Sequence, residues 1–222
     1  MPRLYNPRMA EIGRGAQYVV TDNNDGRVRK VPLTPEESRR VVAGWYEPGA
    51  APAEELEVDF LGATMAACAV VRRLVAQHPA VASSLGNPVF EEGGTYTQDK
   101  VQTLGARLEH VSDEEGTRLL ARFADLVVEH WRWGFSDIVF NCVVNNGVAA
   151  DGNVILIDFG ELTDRKADVA ARVSAQRWLS AWSYRRGLPS RFREPYRVLM
   201  ADKLTLDVLN ANWGTRLRTS IR

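Results

Sequence analysis

The sequence has few cysteines and histidines and no net charge. Its two cysteines, Cys68 and Cys142, lie far apart in apolar stretches, with no Cys-x-x-Cys and no suitably spaced histidine. A disulfide scaffold or structural zinc site is therefore not expected, and a reducing cytoplasmic setting fits best. The 28 Lys+Arg balance the 28 Asp+Glu, so the positive charge that nucleic-acid binding requires is missing. With 45% hydrophobic residues, the composition is that of an ordinary globular protein.

Long hydrophobic runs are also missing. The longest apolar run, residues 62–71, ends at Arg72 and Arg73 before it reaches membrane-spanning length. Residues 1–6 contain no apolar segment of the kind found in export signals. We therefore predict no membrane span and no export.

The N-terminal half is predicted to begin with a hairpin and continue into helices. Residues 18–31 place β-branched pairs on both sides of an Asn-Asn-Asp-Gly turn at 23–26, which is typical of a β-hairpin. A short helix is expected over 35–45 and a long one over 54–77. The predicted buried face of the long helix consists of Val58, Leu61, Met65 and Cys68.

Two further strands and a capped helix follow. Residues 87–90 and 96–101 read as short strands around a Glu-Glu-Gly-Gly turn, and Ser112 with Glu115 forms a capping-box pattern at the start of a helix that runs to about Trp133. The predicted buried stripe of this helix is Leu119, Phe123, Leu126, Val127 and His130.

The last part of the chain reads as a hairpin followed by helices. Apolar strands are expected at 141–144 and 154–157, and helices from 164 to about 213 with a break at 187–189. Four tryptophans at helical spacing are predicted to be core residues: Trp131, Trp133, Trp178 and Trp182. The fold class is thus α+β, with a β-rich lobe over 1–104 and a helical lobe over 105–222.

The most specific motif is an apolar strand that ends in Asp158-Phe159-Gly160. A carboxylate held at a strand tip, with a glycine allowing a sharp exit, can hold a divalent cation against phosphate oxygens. Taken alone, the same pattern also describes a strand followed by an Asx turn.

A second polar segment lies 21 residues upstream of Asp158. Asp137 and Asn141 follow a long helix and precede the hairpin that leads into Asp158. Three polar side chains can then meet at one edge, Asp137 to orient or deprotonate a hydroxyl, and Asn141 with Asp158 to bind Mg²⁺. The alternative is an aspartate that caps a turn and an asparagine at a left-handed bend.

The third segment lies in the first hairpin. Gly13 and Gly15 would let backbone amides approach a polyphosphate, and Lys30 on the return strand could reach its oxygens. A single Gly-x-Gly and a single strand lysine are weak signals separately, so the order of the three segments is what matters.

In this order the chain resembles the protein-kinase-like superfamily. The resemblance spans roughly residues 11–163 and implies a two-lobed fold that binds ATP and Mg²⁺. It implies that Lys30 contacts the α- and β-phosphates and that Asp137 is the catalytic aspartate. Asn141 and Asp158 would be the metal ligands, and a helix glutamate would pair with Lys30. Glu57 is the first choice for that glutamate and Glu54 the second.

The chain also departs from the kinase pattern. Tyr18 replaces the third loop glycine, Phe135-Ser136 stands where His-Arg is usual, and the Asp137–Asn141 interval is four residues instead of five. Asn145 or Asn146 could therefore replace Asn141 as a ligand. No Ala-Pro-Glu follows Asp158, and the 62 residues after Gly160 are too few for a full peptide-binding platform.

The compact size resembles bacterial kinase-like proteins of the YrbL type and, more distantly, small-molecule phosphotransferases. Gln98 and Lys100 occupy the position where a kinase-like hinge would contact adenine. Basic pairs at 185–186 and 191–193 could hold an anionic substrate or could be solvated helix ends.

The function expected from this resemblance is phosphoryl transfer from ATP to a hydroxyl acceptor. The sequence leaves the acceptor open, as a small molecule or a protein, and leaves transfer of AMP possible. A pseudokinase that senses nucleotide or binds protein is the alternative, supported by the departures above. An unrelated α+β domain with accidental motifs is the third reading.

Overall fold

The computed structural model describes residues 10–47 and 49–219. The strands are β1 (Glu11–Arg14), β2 (Tyr18–Asp22), β3 (Arg27–Pro32), β4 (Val89–Phe90), β5 (Tyr96–Asp99), β6 (Gln102–Thr103), β7 (Ser136–Asp137), β8 (Asn146–Val148), β9 (Val154–Leu156) and β10 (Leu162–Thr163). The α-helices are α1 (Pro35–Ala43), α2 (Ala53–Leu56), α3 (Phe60–Gln77), α4 (Leu104–Glu109), α5 (Asp113–Arg132), α6 (Cys142–Asn145), α7 (Lys166–Ser174), α8 (Ser190–Lys203), α9 (Leu206–Asn212) and α10 (Thr215–Thr219). Shorter helical turns are the 3₁₀ segments Pro79–Leu85, Glu92–Gly94 and Arg177–Leu179 and the π-helical segment Ser183–Gly187.

A five-stranded antiparallel sheet in the order β1-β2-β3-β5-β4 forms the N-terminal part. The predicted hairpin is confirmed, because β2 and β3 pair from Tyr18–Pro32 to Asp22–Val28 around the Asn23–Gly26 turn. Asn24 and Gly26 have positive φ there, which asparagine and glycine tolerate best. The predicted strands near 87–90 and 96–101 are confirmed as β4 and β5.

Helix α5 is the centre of the helical C-terminal part. It begins at the Ser112 cap, whose hydroxyl accepts a hydrogen bond from the backbone N–H of Glu115 at 3.2 Å. All five residues of its predicted stripe are buried, and α5 packs against α8 and α9. The core of this part begins at Leu104 and ends at Leu209. The division of the chain at residue 104 into two lobes remains a prediction.

The predicted long helix over 54–77 is wrong in one respect, because it is broken. Helix α2 ends at Leu56, and α3 begins anew at an Asp59 cap whose carboxylate accepts from the Gly62 N–H at 2.8 Å. Val58 lies before the new start of the helix and is exposed. Met65, on α3, is exposed as well, although both residues were predicted to be buried. The buried face is Thr64, Ala67, Cys68, Val71 and Leu74.

Helix α3 is also long and apolar enough to cross a membrane when judged by length and composition alone, with a mean hydropathy of 1.3. The sequence analysis did not expect any segment to pass this test. Core helices of globular proteins pass it too, and the inner face of α3 contributes Ala67, Cys68, Val71 and Leu74 to a hydrophobic cluster with sheet residues. The test is therefore weak support for a membrane span.

The predicted strand at 141–144 is also wrong, because residues 142–145 form the helical turn α6. The Val143 N–H donates to the Ser183 hydroxyl at 3.1 Å, and the Ser183 N–H donates to the Asn141 side-chain oxygen at 3.2 Å. This reciprocal pair fastens the turn to the C-terminal helices, a contact that local sequence cannot reveal. The hairpin itself is confirmed, with β8 in place of the predicted strand and β9 as its partner.

Candidate functional site

Asp137 lies at the base of the site in a nearly closed environment. It ends β7, which pairs with β10 so that Asp137 lies opposite Leu162. One carboxylate oxygen accepts from the Val139 N–H at 2.9 Å, and the other lies 3.5 Å from the Asn145 amide nitrogen. The side chain is only 9% exposed, and this burial raises the pKa of Asp137 to about 7.

Asn145 connects the two polar segments that the sequence analysis brought together. Its backbone carbonyl accepts from the N–H groups of Ile157 and Asp158, at 2.8 and 3.1 Å. Its side-chain nitrogen lies 3.5 Å from Asp137, and its interaction with Glu161 acts to lower the pKa of that carboxyl. One residue thus holds the Asp137 turn and the Asp158 turn side by side.

Asp158 follows β9 at the sheet edge, as predicted. One of its carboxylate oxygens accepts from the Gly160 N–H at 3.2 Å, an Asx turn of the kind weighed as the alternative reading. The other oxygen has no hydrogen bond within residues 10–47 and 49–219. The turn therefore fixes Asp158 and leaves half of its carboxylate available.

Glu161 is a site residue that sequence reasoning missed. Its backbone carbonyl accepts from the Ile138 N–H at 3.2 Å, which places it beside the Asp137 loop. Burial, reinforced by the charges of Asp137 and Asp158, raises the pKa of Glu161 to about 8. The available signal was a second carboxylate three residues after Asp158, within the same turn.

Lys30 is a residue of β3, and Asp158 is the carboxylate whose charge acts on it. It is 7% exposed, and its ammonium group donates to the Ile157 carbonyl oxygen. The group also lies 5.9 and 5.8 Å from the ring centres of Tyr18 and Tyr96. Desolvation lowers the pKa of Lys30, and the charge of Asp158 opposes that effect.

The predicted ion pair between Lys30 and Glu57 does not form. Glu57 is exposed at the end of the short helix α2, because the break before α3 keeps it out of the core. The α3 residue that does interact with Lys30 is Cys68, which is buried and shares a 3.0 Å hydrogen bond with the Tyr18 hydroxyl. A neutral thiol thus faces Lys30 from this helix, where a glutamate was expected.

The loop between β1 and β2 closes over the Asp158 turn. Neither Gly13 nor Gly15 has a positive φ, and Gly15 has open space where a side chain would project. Gln17, at the end of this loop, lies directly against Gly160, so that a larger residue at 160 would overlap it. The glycines leave room for a ligand, and Gln17 occupies the neighbouring space.

Gln98 and Lys100 are both committed to contacts within the protein. The Gln98 side chain is fully buried and donates to the Leu85 carbonyl at 3.4 Å. The Lys100 ammonium group pairs with Asp22, and its backbone N–H donates to the Gly26 carbonyl at 2.9 Å. The predicted contact of the hinge backbone at Gln98 and Lys100 with adenine does not depend on these side chains and remains a prediction.

Asn141 and Asn145 differ in what they face. Asn141 uses its side-chain oxygen to accept from Ser183, whereas Asn145 faces Asp137 and Glu161. From sequence, Asn141 is the first choice of metal ligand because an apolar strand is expected after it. In the structure the residues after Asn141 form the helical turn α6 instead. The geometry therefore favours the substitute, Asn145.

The donor set fits a hard divalent cation. Asp137, Asp158, Glu161 and Asn145 offer carboxylate and amide oxygens, which Mg²⁺ prefers, and the two raised pKa values reflect carboxyl groups that share a buried space. Within the described ranges no group of three or more His, Cys, Asp or Glu is close enough to form a metal site alone. Further ligands would have to come from phosphate or water.

We expect the metal-free protein to lose stability as pH rises from 6.5 to 8.5. The folded-state pKa values of Asp137 and Glu161 lie above their unfolded values, so both carboxyls stabilise the fold only while they hold their protons. Two buried basic groups act oppositely: His130, with a lowered pKa of about 3, only below its unfolded value, and Lys30, whose pKa burial lowers, only above its folded value. The unfolding free energy should fall by roughly 2 kcal/mol.

Urea denaturation in EDTA at both pH values measures this change. The double variant Asp137→Asn and Glu161→Gln is the control, and its unfolding free energy should not fall over the same range, because the two carboxyls with raised pKa values are gone. A wild-type protein whose stability rose over this range would contradict the site electrostatics described above.

Comparison with known proteins finds a structural similarity but no sequence relative. No protein-family model matches the chain, and no curated protein matches it. Among 34 matching solved chains is the Rio2 kinase of Chaetomium thermophilum, crystallised as an ADP/Mg²⁺-phosphoaspartate complex. The similarity covers 98% of this chain and 71% of that chain, with 15% identity and a TM-score of 0.47.

The chain has an α+β fold, with a β-rich N-terminal part and a helical C-terminal part. That assignment rests on its own strand order, the helix α3 placed between β3 and β4, and the helical second part. The predicted fold class is confirmed. The finer resemblance to proteins of the YrbL type remains a prediction.

Proposed function

We propose that this protein binds ATP with Mg²⁺ between β3 and the Asp158 turn and transfers a phosphoryl group to a hydroxyl acceptor. The observation that carries the proposal is the convergence of Asp137, Asn145, Asp158 and Glu161 beside the buried amine of Lys30. Phosphoryl transfer depends mainly on such positioning and charge stabilisation. The proposal keeps the predicted lobe division at residue 104.

Each residue has a proposed task. Lys30 binds phosphate oxygens once its ammonium leaves the Ile157 carbonyl, and the loop at Gly13 and Gly15 approaches the same phosphates. Asp158 and Asn145, with Glu161, hold Mg²⁺, which would neutralise phosphate charge when bound. Asn141, the first choice from sequence, is left to the acceptor side.

Asp137 is the proposed base. The acceptor oxygen forms its bond to the terminal phosphorus while the bond from that phosphorus to the ADP oxygen breaks, and the hydroxyl proton passes to Asp137. A pKa of about 7 suits this role, because a group near neutrality can both accept and release a proton.

The buried and unpaired thiols of Cys68 and Cys142 are compatible with a reducing cytoplasm.

A pseudokinase is the second candidate, and the closed cleft favours it. Lys30 has no carboxylate partner on α3, and Gln17 lies against Gly160. Neither of the two cavities identified among the described residues is lined by Lys30 or Asp158. An active enzyme would need this loop to move before nucleotide enters.

Thermal and chemical denaturation with ATP and Mg²⁺, followed by an assay for ADP release, separates the two. An enzyme should gain about 2.7 kcal/mol at a ligand concentration a hundred times the Kd, and should release ADP. Stabilisation without ADP release in the presence of a broad set of acceptors would favour the pseudokinase. Absence of any stabilisation by ATP would contradict nucleotide binding altogether.

A further inference from the structure

A cavity that does not include Lys30 or Asp158 lies beside the loop that carries Asp137. It has a volume of about 200 Å³. Its wall is formed by residues of that loop, of α7 and of the segment that follows α7: Ile138, Val139, Asn141, Arg172, Arg177, Ser180, Ala181 and Trp182. The Val139 N–H donates to the Asp137 carboxylate, so the cavity wall is one hydrogen bond from the proposed base.

The charge of this cavity is not balanced by the protein. Arg172 and Arg177 both line it, and no aspartate or glutamate does. Neither guanidinium forms an ion pair or a side-chain hydrogen bond within residues 10–47 and 49–219. Many other arginines pair with a carboxylate, as Arg197 does with Glu194 at 2.6 Å.

The larger cavity, of about 460 Å³, shows the contrast. It is also lined by arginines, but Arg107 pairs with Glu115 at 2.7 Å and Arg122 donates to the Gly152 carbonyl. Its positive groups are therefore already occupied. In the smaller cavity, neither lining guanidinium has a partner within the described residues, so their N–H donors can bind a ligand.

Two further side chains equip the smaller cavity for binding. The side-chain oxygen of Asn141 accepts a hydrogen bond from the Ser183 N–H. The amide N–H groups of Asn141 therefore remain available to a ligand. Trp182 is 51% exposed, against the prediction that it is a core residue, and offers a flat apolar wall.

We propose that this cavity binds the acceptor, and that the acceptor is a small hydroxyl compound that carries a phosphate or carboxylate group. Guanidinium groups bind both anions through paired N–H donors, and the absence of lining carboxylates favours an anion. The volume is below the about 300–1,000 Å³ of sites for drug-sized ligands, which favours a small compound over a peptide. Calling this ligand the acceptor rests on the proposed function, whereas its anionic nature does not.

The test measures anion binding without nucleotide. Inorganic phosphate, glycerol 3-phosphate and glycerol are titrated into the protein and followed by calorimetry. The wild type is compared with the double variant Arg172→Met, Arg177→Met and with the control Arg39→Met, Arg40→Met. The control removes the same charge from exposed positions on α1. Urea denaturation of each variant checks that it is folded.

The proposal expects the wild type and the control to bind phosphate and glycerol 3-phosphate but not glycerol. Affinity for both anions should fall at least about tenfold in the Arg172/Arg177 variant, because two charge-assisted contacts are lost. Equal affinity in both double variants, or no phosphate binding by the wild type, would overturn the site. A phosphoserine peptide that binds more tightly than glycerol 3-phosphate would overturn the small-molecule assignment.

The same measurements separate this inference from the proposed function. One outcome is that ATP and Mg²⁺ bind the wild type and fail to bind Asp158→Asn, while the affinity for anions is the same in the wild type and in the Arg172/Arg177 variant. In that case only the acceptor site is overturned. If anion binding is lost in the Arg172/Arg177 variant and ATP does not bind the wild type, the anion site stands and the phosphotransferase proposal is overturned.

Discussion

Replacing Asp158 by asparagine is expected to abolish Mg²⁺-dependent ATP binding and any ADP release while leaving the protein folded. The substitution keeps the shape of the side chain and can keep the hydrogen bond from the Gly160 N–H, but it removes the charge that faces the proposed metal position. Turnover should fall by at least about a hundredfold, as it does when one preorganised electrostatic contact of a transition state is removed.

The stability of this variant gives an independent check. The charge of Asp158 raises the pKa of Asp137 and Glu161, so its removal relieves repulsion among the three carboxyls. The same charge favours the ammonium form of buried Lys30, so the two effects oppose each other and the unfolding free energy of the metal-free variant should stay close to that of the wild type at pH 8.5. ATP with Mg²⁺ should add nothing to it.

Asp164→Asn is the matched control for Asp158→Asn. Asp164 lies six residues further along the chain, is exposed and pairs with Arg73 on α3. Its substitution should leave ATP binding unchanged, because surface ion pairs contribute little. Unaltered Mg²⁺-dependent ATP binding in Asp158→Asn would remove Asp158 from the site.

The second large effect is expected from Phe159→Ala, which should lower the unfolding free energy by about 3–5 kcal/mol. Phe159 is fully buried and stacks on Tyr96 with ring centres 4.8 Å apart and an interplanar angle of 20°. Phe159 thus packs the Asp158 turn against β5 of the five-stranded sheet. Alanine would leave a cavity between the turn and this strand.

Urea denaturation measures this effect, with Phe159→Leu as the control. Leucine fills most of the same space, so its cost should stay below about 1.5 kcal/mol. A loss under 1 kcal/mol in Phe159→Ala would mean that the turn is held by its backbone hydrogen bonds and not by the ring.

The elements with strong local signals could be predicted from the sequence. The turn at Asn23–Gly26 and the Ser112 cap depend on side chains and backbone conformations within a few residues, and both are present in the structure. The stripe of α5 follows from helical periodicity alone. The order of the Lys30, Asp137 and Asp158 segments was enough to predict the fold class.

The parts that were not predictable depend on contacts between distant residues. Asn141 is turned away from Asp158 by Ser183, 42 residues later, and that contact leaves Asn145 beside Asp137. The break before α3 leaves Glu57 exposed and brings Cys68 towards Lys30. Hydrophobic periodicity carries no information on either event.

The absence of a glutamate beside Lys30 has a consequence for how the site would work. Lys30 depends on Asp158 and the Ile157 carbonyl for its polar surroundings, and burial lowers its pKa. A bound polyphosphate would replace the carbonyl as the partner of the ammonium group and would favour its charged form. The closed loop at Gln17 fits a cleft that opens when nucleotide binds.

A crystal structure with Mg²⁺ and a non-hydrolysable ATP analogue tests the central claim most directly. The account predicts that the metal ion contacts Asp158 and the Asn145 side chain, and that the Lys30 ammonium group contacts a phosphate oxygen. An analogue bound elsewhere, or a metal ion without contact to Asp158, would contradict it.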